Sequence, residues 1–481
     1  MVSAMLRRLV DVRPGETRAL LGSFAYFFCL LCSYYLLRPV REEMGITGGV
    51  KNLPWLFSAT FVAMLAAAPL YAAVVARFPR RRFIPIVYRF FTLNVLVFFA
   101  LFRRDPAHAG TAQAFYVWTS VFNLFVVSVF WGFMADLWRS EQGKRLFGFV
   151  AAGGSAGALV GPLLASLLVG KIGVLNLLLL AAAVLEVASQ CAGWLARSAP
   201  AAERPGEEKG AQKERGAQKE RGAQKERGAQ EERGAQEERG ARTAEGRGAP
   251  AREGDERVGR GFLSGLRPVF RSPYLLGISA LTLLTTLTAT VLYWQQMHVI
   301  SAQIADRAER TALFASMDLY TNLLSLVVQG FVTGHVMRRA GLAWALAAVP
   351  VVSAVGFLGL AVAPVIPVFV AFQVARRAVH YGFERPAREV LFTVVPREEK
   401  YTSKSFIDTV VYRGGDAASV WASDALAPII GATMLSLGML PLCAAWLALN
   451  LAMARRQAAL AALAPLVGEK AAVVEGSREG A

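Results

Sequence analysis

Long apolar runs recur along almost the whole chain and alternate with short charged loops. Each run can supply the roughly 20 residues that a helix needs to cross the hydrocarbon core of a membrane. Helices are required, because backbone amides in hydrocarbon must be bonded within their own segment and the runs are too long for barrel strands. The pattern predicts an all-α integral membrane protein with about twelve transmembrane helices. The predicted spans are Ala19–Leu37, Leu53–Val75, Phe83–Phe102, Ala112–Ala135, Leu146–Val169, Val174–Leu195, Tyr274–His298, Thr311–Met337, Leu342–Ala363, Val365–His380, Ser405–Ile430 and Thr433–Ala452.

The apolar pattern breaks once on a large scale, between Pro200 and Arg260. Within this break, Gly210–Arg227 repeats GAQKER three times and Gly228–Arg239 repeats GAQEER twice. A glycine at every sixth residue and a lack of side chains to bury predict a disordered low-complexity linker. The predicted organisation is an N-terminal six-helix half (1–199), this linker (200–260), a C-terminal six-helix half (261–457) and a C-terminal tail (458–481).

The two groups of six runs carry charge at matching places. The basic turn Ala76–Arg82 after the second run corresponds to Gly334–Arg339 after the eighth. Likewise, the charged loop Asp136–Arg145 after the fourth run corresponds to the longer stretch Arg376–Lys404 after the tenth. Two parallel halves built from inverted triplets are typical of the major facilitator superfamily, which this arrangement resembles. The superfamily's usual Gly and Asp after the second span are missing from ARFPRRR, so the resemblance rests on helix count and symmetry.

The chain carries 52 Lys and Arg against 35 Asp and Glu, a net charge of +17. A basic excess can indicate nucleic-acid binding, but cytoplasmic loops of membrane proteins also collect Lys and Arg. We assign the excess to topology, and expect the lipid bilayer rather than a nucleic acid polymer as a partner. Both termini and the linker are then cytoplasmic in a multi-pass protein of the inner (cytoplasmic) membrane. The loops on that side hold Arg7, Arg8, Arg77, Arg80, Arg81, Arg82, Arg139, Lys144, Arg145, Arg338, Arg339, Arg455 and Arg456.

Composition and motifs argue against an enzyme. Hydrophobic residues make up 55% of the chain, above the roughly 45–50% that is usual in soluble domains. The sequence has no phosphate-binding loop, no H-E-x-x-H zinc motif and no convincing nucleophile elbow, and it contains only four histidines. We expect no catalytic activity, no cofactor and no metal. Cys29 and Cys32 form a C-x-x-C inside the first apolar run, where thiols are expected to behave as small hydrophobes.

Three glycines mark a predicted helix contact. Gly153, Gly157 and Gly161 recur at every fourth residue and so lie on one helical face, where another backbone can approach closely. Packing of two helices is the favoured interpretation, and a rocking interface between moving parts is the alternative.

Charged residues inside the apolar runs point to a solute pathway. Charges at membrane depth are costly, so they face a water-filled cavity or pair with one another. Arg38 and Arg41 lie beside Glu42 and Glu43 at the end of the first run, where an ordinary interfacial cluster is the alternative interpretation. A second concentration holds Arg376, Arg377, Glu384, Arg388, Lys404, Asp408, Arg413, Asp416 and Asp424.

These charges predict the chemistry of the solute. A helix holding Asp408, Arg413 and Asp416 is expected to line a central cavity instead of facing lipid. Guanidinium and ammonium groups in such a cavity suit carboxylate or phosphate, which predicts a small anionic solute as partner. Ion pairs that hold one conformation closed are the competing explanation.

Three stretches resemble bacterial and plastid ATP:ADP antiporters, with the likeness spread over both halves. Leu37–Glu42 (LRPVRE) resembles that family's L-R-D-x-K-D element, and Phe130–Phe147 (FWGFMADLWRSEQGKRLF) resembles its F-W-x-F-A-N…E-A-K-R-F-Y element. Tyr381–Ser419 (YGFERPAREVLFTVVPREEKYTSKSFIDTVVYRGGDAAS) is similar to F-D-x-x-K-E-M-x-Y-I-P-L…K-G-K-A-A-I-D-V-V-x-x-R-x-G-K-S-G-G. The resemblance implies a major-facilitator-like fold and exchange of ATP and ADP or of related phosphorylated anions.

The resemblance also implies roles for particular residues. Arg41 stands where the family has a substrate-contacting Lys, Lys404 stands at the Lys of G-K-A-A, and Glu309 matches an acidic residue before the eighth span. The chain departs from the family at Arg388, which replaces the Lys of K-E-M, and at Asp416, where Lys is the family residue. The fourth span also lacks the family's acidic residue. The candidate substrate-binding residues are Arg38, Arg41, Glu309, Arg376, Arg377, Lys404, Asp408 and Arg413.

The sequence therefore predicts a secondary transporter in which two six-helix halves rock about a cationic cavity. Arg41 and Lys404 are expected to face this cavity from opposite halves. Two alternatives are a transporter of an unrelated small solute and a non-transporting membrane scaffold or sensor. The polar eleventh span argues against the scaffold, which has no use for charges in a cavity.

Overall fold

A computed structural model describes residues 12–13, 15–77, 80–198 and 266–479. Every regular element in these ranges is a helix. The 200–260 linker, and with it the predicted boundary between the halves, lies outside the described residues.

Six long helices form the N-terminal half. They are α1 (Thr17–Thr47), α2 (Leu53–Arg77), α3 (Arg80–Arg104), α4 (Ala109–Leu137), α5 (Ser140–Ile172) and α6 (Val174–Ser198). Short connections join them, and two glycines with positive φ follow the ends of α1 and α5. Gly49 has φ 91° and Gly173 has φ 80°, a backbone region that side chains with a Cβ disfavour. At the start of α4, His108 accepts a hydrogen bond from the Thr111 amide.

The C-terminal half begins with a short helix and continues with six long ones. After Leu266–Arg271 come α7 (Pro273–Gln303), α8 (Arg307–Val327, then a π-helical segment Val328–Val332 and Thr333–Arg339) and α9 (Gly341–Val362). Helix α10 runs through Ile366–Val379, a π-helical segment His380–Glu384 and Arg385–Leu391. Helix α11 starts with Arg397–Phe406 and passes through a π-helical segment Ile407–Val411. The helical stretch Tyr412–Glu479 breaks at Gly431 (φ 79°, ψ 158°), which separates α11 from α12.

The predicted all-α membrane fold is confirmed. Among the residues that the structure describes, ten helical stretches are long and apolar enough to cross a membrane, and one of them, Thr402–Leu463, contains both α11 and α12. With α10 they make the twelve helices of the prediction. Several predicted ends are wrong: α1 continues beyond Leu37 to Thr47, α10 continues beyond His380 to Leu391, α11 begins at Arg397 instead of Ser405, and the helical stretch with α12 continues beyond Ala452 to Glu479. For α1 and α10 the reason is that charged residues beyond the predicted ends are paired inside the protein, so they do not interrupt the helices.

The predicted close approach at the three glycines of α5 is present, and its partner is α1. A Cβ added to Gly153 would lie 2.5 Å from the Phe24 carbonyl oxygen, and one added to Gly161 would lie 2.8 Å from that of Cys32. Gly157 packs equally closely on the backbone at Phe28. Since α1 and α5 belong to the same half, these glycines pack one half together.

Apolar side chains fill both halves and also cover their outer faces. In the N-terminal half, Phe27 of α1 stacks on Phe130 of α4 with ring centroids 4.0 Å apart. Large apolar residues such as Ile86, Val355 and Ile429 are 66%, 68% and 78% exposed. Exposed apolar surface of this kind is what a bilayer covers.

Several pairs of helices join the two halves. Helix α8 packs against α1 and α5, α11 packs against α2, and α7 contacts α1. We call the side of the bundle where α1 ends and α8 begins the Glu43 end, and the opposite side, where α10 ends and α11 begins, the Lys404 end. Near the middle, the side chain of Asn322 in α8 donates a hydrogen bond to the Ala158 carbonyl of α5. The charged residues of α1 therefore lie next to helices of the other half.

Candidate functional site

A buried carboxylate joins the two halves at the centre of the candidate site. Asp318 of α8 pairs through the same oxygen, Oδ1, with Arg38 of α1 at 3.0 Å and with Arg377 of α10 at 2.8 Å. Asp318 is 3% exposed. A buried carboxylate requires such partners, because an unpaired charge away from water is strongly destabilising. We call these three residues the Asp318 cluster.

The Asp318 cluster carries more positive than negative charge. Two guanidinium groups share one carboxylate, which leaves a formal excess of one positive charge. In addition, Nη2 of Arg377 is buried and has no hydrogen-bond partner among the described residues. A buried donor without a partner is costly, and a charged acceptor satisfies it best. The cluster is therefore suited to an added anion.

Aromatic side chains surround the cluster. The Arg38 guanidinium lies 5.8 Å from the ring centroid of Tyr35, and Tyr34 and Tyr381 also lie near Arg38. The Tyr35 hydroxyl donates to Asn322 of α8 at 3.4 Å. Tyrosines present both an apolar ring and a hydroxyl, so they can contact the uncharged part of a solute while the arginines bind its charge.

Arg41 lies one turn along α1 from Arg38, in a second group of contacts. Its guanidinium lies 4.0 Å from the ring centroid of Tyr116 and its Nη1 is 2.8 Å from Oε1 of Glu42. The other oxygen of Glu42 accepts a hydrogen bond of 2.6 Å from Tyr293 of α7, and Tyr293 bonds Tyr116 at 3.0 Å. Arg41 is thus largely neutralised in this conformation and takes part in a contact between the halves.

A third ionic contact closes the Glu43 end. Glu43 of α1 is fully buried and accepts hydrogen bonds from two arginines of α8. Its oxygens are 2.8 Å from Arg307 Nε, and 2.6 and 3.0 Å from Nε and Nη2 of Arg310. Glu43 and the two arginines therefore form an ionic contact between the two halves.

Arg376 occupies a polar region inside the C-terminal half. Its guanidinium donates to Ser353 of α9 at 3.2 Å, and to the Thr285 carbonyl and Thr288 hydroxyl of α7 at 2.8 and 2.9 Å. Arg376 is 3% exposed. It therefore connects α10 to α7 and α9, and does not join Arg377 in the Asp318 cluster.

Helix α11 carries its charges at two levels. Asp416 is buried, accepts a 2.8 Å hydrogen bond from Thr290 of α7 and lies 3.4 Å from Arg413. Towards the Lys404 end, Arg388 pairs with Asp408 at 2.9 Å and Lys404 pairs with Glu389 at 2.6 Å. Asp408, Arg413 and Asp416 of α11 thus each have an ionic partner in this conformation.

The expected juxtaposition of Arg41 and Lys404 is not found. Arg41 interacts electrostatically with Asp416, but Lys404 precedes Asp416 by twelve residues, about 18 Å along a helix axis. Lys404 instead binds the exposed Glu389 at the Lys404 end. Lys404 and Arg41 therefore lie at different depths in the helix bundle. Glu309 is exposed in the first turn of α8, where its amide donates to Asp306 at 2.7 Å.

The sequence interpretation missed Asp318, the residue that organises the site. A signal was available, because Asp318 is the only charged residue in the apolar run Thr311–Met337. An isolated intramembrane carboxylate is by default a functional candidate that needs a partner. Arg310 was also missed, since at the sequence level it reads as an ordinary loop arginine.

A separate cavity of about 500 Å³ lies at the Glu43 end, lined mostly by the C-terminal half and also by Lys51 of the N-terminal half. Its lining includes Lys51, Gln295, His298 and Asp424 together with apolar side chains of α7, α11 and α12. It contains none of the candidate substrate-binding residues, and Lys51 and Asp424 balance each other in charge. Within the described residues, no group of three or more His, Cys, Asp or Glu side chains is arranged to hold a metal ion.

Comparisons with known proteins agree with this architecture. The model of the Major Facilitator Superfamily matches residues 19–398. No curated protein matches the chain. Among solved structures, a bacterial homologue of the iron transporter ferroportin in its inward-facing state is 12% identical with a TM-score of 0.57, covering 91% of this chain and 98% of that one.

Two further solved structures are similar at the same level. The nucleoside transporter NupG is 11% identical with a TM-score of 0.56, covering 90% of this chain and 99% of that one. A POT family transporter in complex with 5-aminolevulinic acid is 11% identical with a TM-score of 0.56, covering 92% and 96%. At these identities the likeness shows the fold alone. Because the family match spans most of its length, the chain belongs to the Major Facilitator Superfamily and is a secondary transporter of that type.

Proposed function

We propose that this transporter moves a small anionic solute by alternating access, and that the solute binds at the Asp318 cluster. The observation that carries the proposal is the sharing of one carboxylate oxygen by Arg38 and Arg377. Each half supplies one of these arginines, so an anion bound between them contacts both halves. A solute held in this way senses, and can bias, their relative position.

The chemistry of the cluster favours a carboxylate or phosphate group. A guanidinium presents several N–H donors in a planar fork that matches two oxygens of such an anion. Arg377 already has an unpaired buried nitrogen, and the excess positive charge of the cluster is neutralised when one negative charge is added. Asp318 holds the two arginines in place before the anion arrives.

A nucleotide or another phosphorylated anion is the finer proposal for the solute, with ATP and ADP exchanged without hydrolysis. Its support is the resemblance of Leu37–Glu42 and Tyr381–Ser419 to ATP:ADP antiporters, since these stretches contain Arg38, Arg41 and the start of α11. The tyrosines around Arg38 provide rings on which a base can stack. Lys404 and Asp408 lie outside the proposed central site, towards the Lys404 end.

The proposed orientation places the Lys404 end and both termini in the cytoplasm of a cell's inner membrane. Arg139, Lys144, Arg338 and Arg339 support it, because they cluster at the helix ends on that side. Tag-accessibility mapping in intact cells tests the orientation. Labelling of the Gly210–Arg239 repeats from outside the cell would contradict it.

Uptake by purified protein in liposomes tests the proposed function. Labelled ATP, ADP, inorganic phosphate and amino acids are compared with and without the counter-solute inside. We expect one of the anions to be taken up, and Arg377→Gln to raise its half-saturating concentration by about tenfold or more, because a charge-assisted hydrogen bond contributes about 1.5–3 kcal/mol.

Arg89→Gln is the matched control for this variant. Arg89 lies on α3 with its side chain 65% exposed and pairs loosely with Glu186 at 3.6 Å. Its loss is expected to leave the half-saturating concentration unchanged, since Arg89 and its partner Glu186 both lie in the N-terminal half and outside the Asp318 cluster. Uptake of a neutral or cationic solute alone, or unchanged kinetics in Arg377→Gln at normal expression, would refute the proposed site.

A further inference from the structure

A second buried carboxylate lies in the π-helical segment of α10 and is not part of the Asp318 cluster. Glu384 is 6% exposed. Its Oε1 accepts a 2.5 Å hydrogen bond from the Thr285 hydroxyl of α7, and its Oε2 lies 2.7 Å from Nδ1 of His380. Both oxygens are thus engaged, one by a hydroxyl and one by an imidazole.

The contact fixes the tautomer of the histidine. A carboxylate only accepts hydrogen bonds, so Nδ1 of His380 must donate its proton to Glu384. In the neutral imidazole the other nitrogen, Nε2, then carries the lone pair and can accept a proton from water. The His380 side chain is 25% exposed whereas that of Glu384 is 8% exposed. His380 is therefore the member of the pair that water can reach.

The charged groups next to His380 are balanced before it binds a proton. Helix α9 contributes no ionisable residue, and α7 contributes the hydroxyls of Thr285 and Thr288. The positive charge of Arg376 balances Glu384, so the group is neutral when His380 is neutral and carries one positive charge after protonation. The other ionisable groups near this part of α10 are Arg38 of α1, Asp318 of α8, Asp408 and Tyr412 of α11, Cys443 of α12, and Arg377, Tyr381, Arg385 and Arg388 of α10 itself.

The same π-helical segment reaches the Asp318 cluster. Tyr381, next to His380, lies near Arg38, Arg377 and Asp318. The segment also packs on the π-helical segment of α8: Gln329 donates to the Tyr381 carbonyl at 3.2 Å and Thr333 donates to the Gly382 carbonyl at 2.7 Å. His380 lies three residues after Arg377 in the sequence of α10. A positive charge on His380 therefore arises on a helix that also carries a member of the Asp318 cluster.

We propose that His380 and Glu384 form a proton-binding site that couples proton uptake to anion binding. This inference rests on the proposed function and adds a coupled ion to it. A proton from one side of the membrane adds to Nε2 of His380 and forms an imidazolium that pairs with Glu384, and the same proton leaves on the other side. The added positive charge attracts the anion, and by linkage the bound anion strengthens proton binding by the same factor.

A ligand-free measurement tests proton binding by itself. The chain has four histidines, so nitrogen-15 histidine labelling of the protein in nanodiscs gives few imidazole signals, and His380→Asn identifies the one that belongs to His380. We expect this signal to change reversibly with pH, and proton binding to weaken by about tenfold or more in Glu384→Gln, the effect of removing one nearby charge. A His380 signal that ignores pH, or that Glu384→Gln leaves unchanged, overturns the proposal.

A second measurement separates coupling from anion binding. Inorganic phosphate or ADP is added to the protein in weakly buffered solution, while calorimetry reports anion binding and a pH dye reports proton uptake. We expect wild type to take up protons on binding, and His380→Asn to bind the anion more weakly without proton uptake. Binding in wild type without proton uptake overturns this inference and leaves the proposed function standing. If neither phosphate nor ADP binds, the result counts against the proposed function. The ligand-free measurement still shows whether His380 binds a proton.

Controls come from residues outside the site. His335→Asn removes an exposed imidazole that bonds the Phe331 carbonyl of its own helix at 3.0 Å. Glu186→Gln removes a carboxylate on the outer side of α6 that pairs loosely with Arg89. Both variants are expected to keep wild-type proton uptake. Loss of proton uptake in either control, with anion binding intact, contradicts the assignment to His380 and Glu384.

Discussion

Replacing Glu43 by Gln is expected to release the closed Glu43 end of the transporter. Glu43 is fully buried and its carboxylate binds Arg307 and Arg310 across the boundary between the halves. A glutamine keeps the shape of the side chain but loses the charge. Arg310, which is only 8% exposed, then remains buried without a counter-charge.

The size of the effect follows from this burial. Removing one partner of a buried ion pair costs about 3–5 kcal/mol, because the other charge is left uncompensated. The cost applies only while this end is closed, since separation of the halves hydrates all three side chains. The equilibrium should therefore shift towards the conformation that is open at the Glu43 end by about two to four orders of magnitude.

Distances between spin labels measure this shift. Labels at Ala107→Cys and Gln303→Cys, both exposed at the Glu43 end and one on each half, are read by double electron–electron resonance in a background without the native cysteines. We expect Glu43→Gln to add a longer-distance population, and the double change with Arg310→Gln to reverse part of it. Glu186→Gln should leave the distances unchanged, because its ion pair with Arg89 lies within one half and does not connect the two. An unchanged distance distribution in folded Glu43→Gln protein would refute the assigned closing role.

Three further outcomes test other parts of the structure. Gly157→Ala places a methyl group against the Phe28 carbonyl, so we expect about 1–3 kcal/mol lower stability by thermal unfolding in detergent, whereas Gly170→Ala, in open space, should be neutral. Asp318→Asn removes the carboxylate that competes with the anion for Arg38 and Arg377. We expect the half-saturating concentration of the anion to fall by about tenfold and its release to become slower, which counterflow experiments measure. Lys404→Gln should change that concentration less than about fivefold, because its pair with Glu389 is solvent-accessible.

Helix number and fold class follow from the sequence for a simple physical reason. Apolar runs of membrane-spanning length have only one stable form in lipid, so their count predicts the helices without any tertiary information. The glycine spacing at Gly153, Gly157 and Gly161 likewise predicts a close backbone approach from one segment alone. The identity of the partner, α1, required the structure.

Charge pairing could not be predicted in the same way. Glu43 and Arg307 are separated by 264 residues, and nothing in either segment names the other. The predicted first helix stops at Leu37 for the same reason. The charged residues that follow Leu37 are typical of a loop, and their partners on α8 are known only from the structure. Lys404 was assigned to the central site by resemblance, but its level along α11 places it beside Glu389.

The ionic contacts along α1 explain why a transporter would use buried charges to close itself. Glu43 lies five residues from Arg38, about 7.5 Å along the helix axis, so the closing contact and the proposed anion site are close neighbours. A buried ion pair adds little net stability, because hydration of the separated charges offsets the lost contact. The closed and open conformations can then have similar free energies, and the charge of a bound anion at Arg38 and Arg377 is enough to decide between them. Apolar side chains in place of Glu43 and its arginine partners would not respond to the anion in this way. The charge of an anion bound at Arg38 and Arg377 would not change the contacts between such apolar side chains.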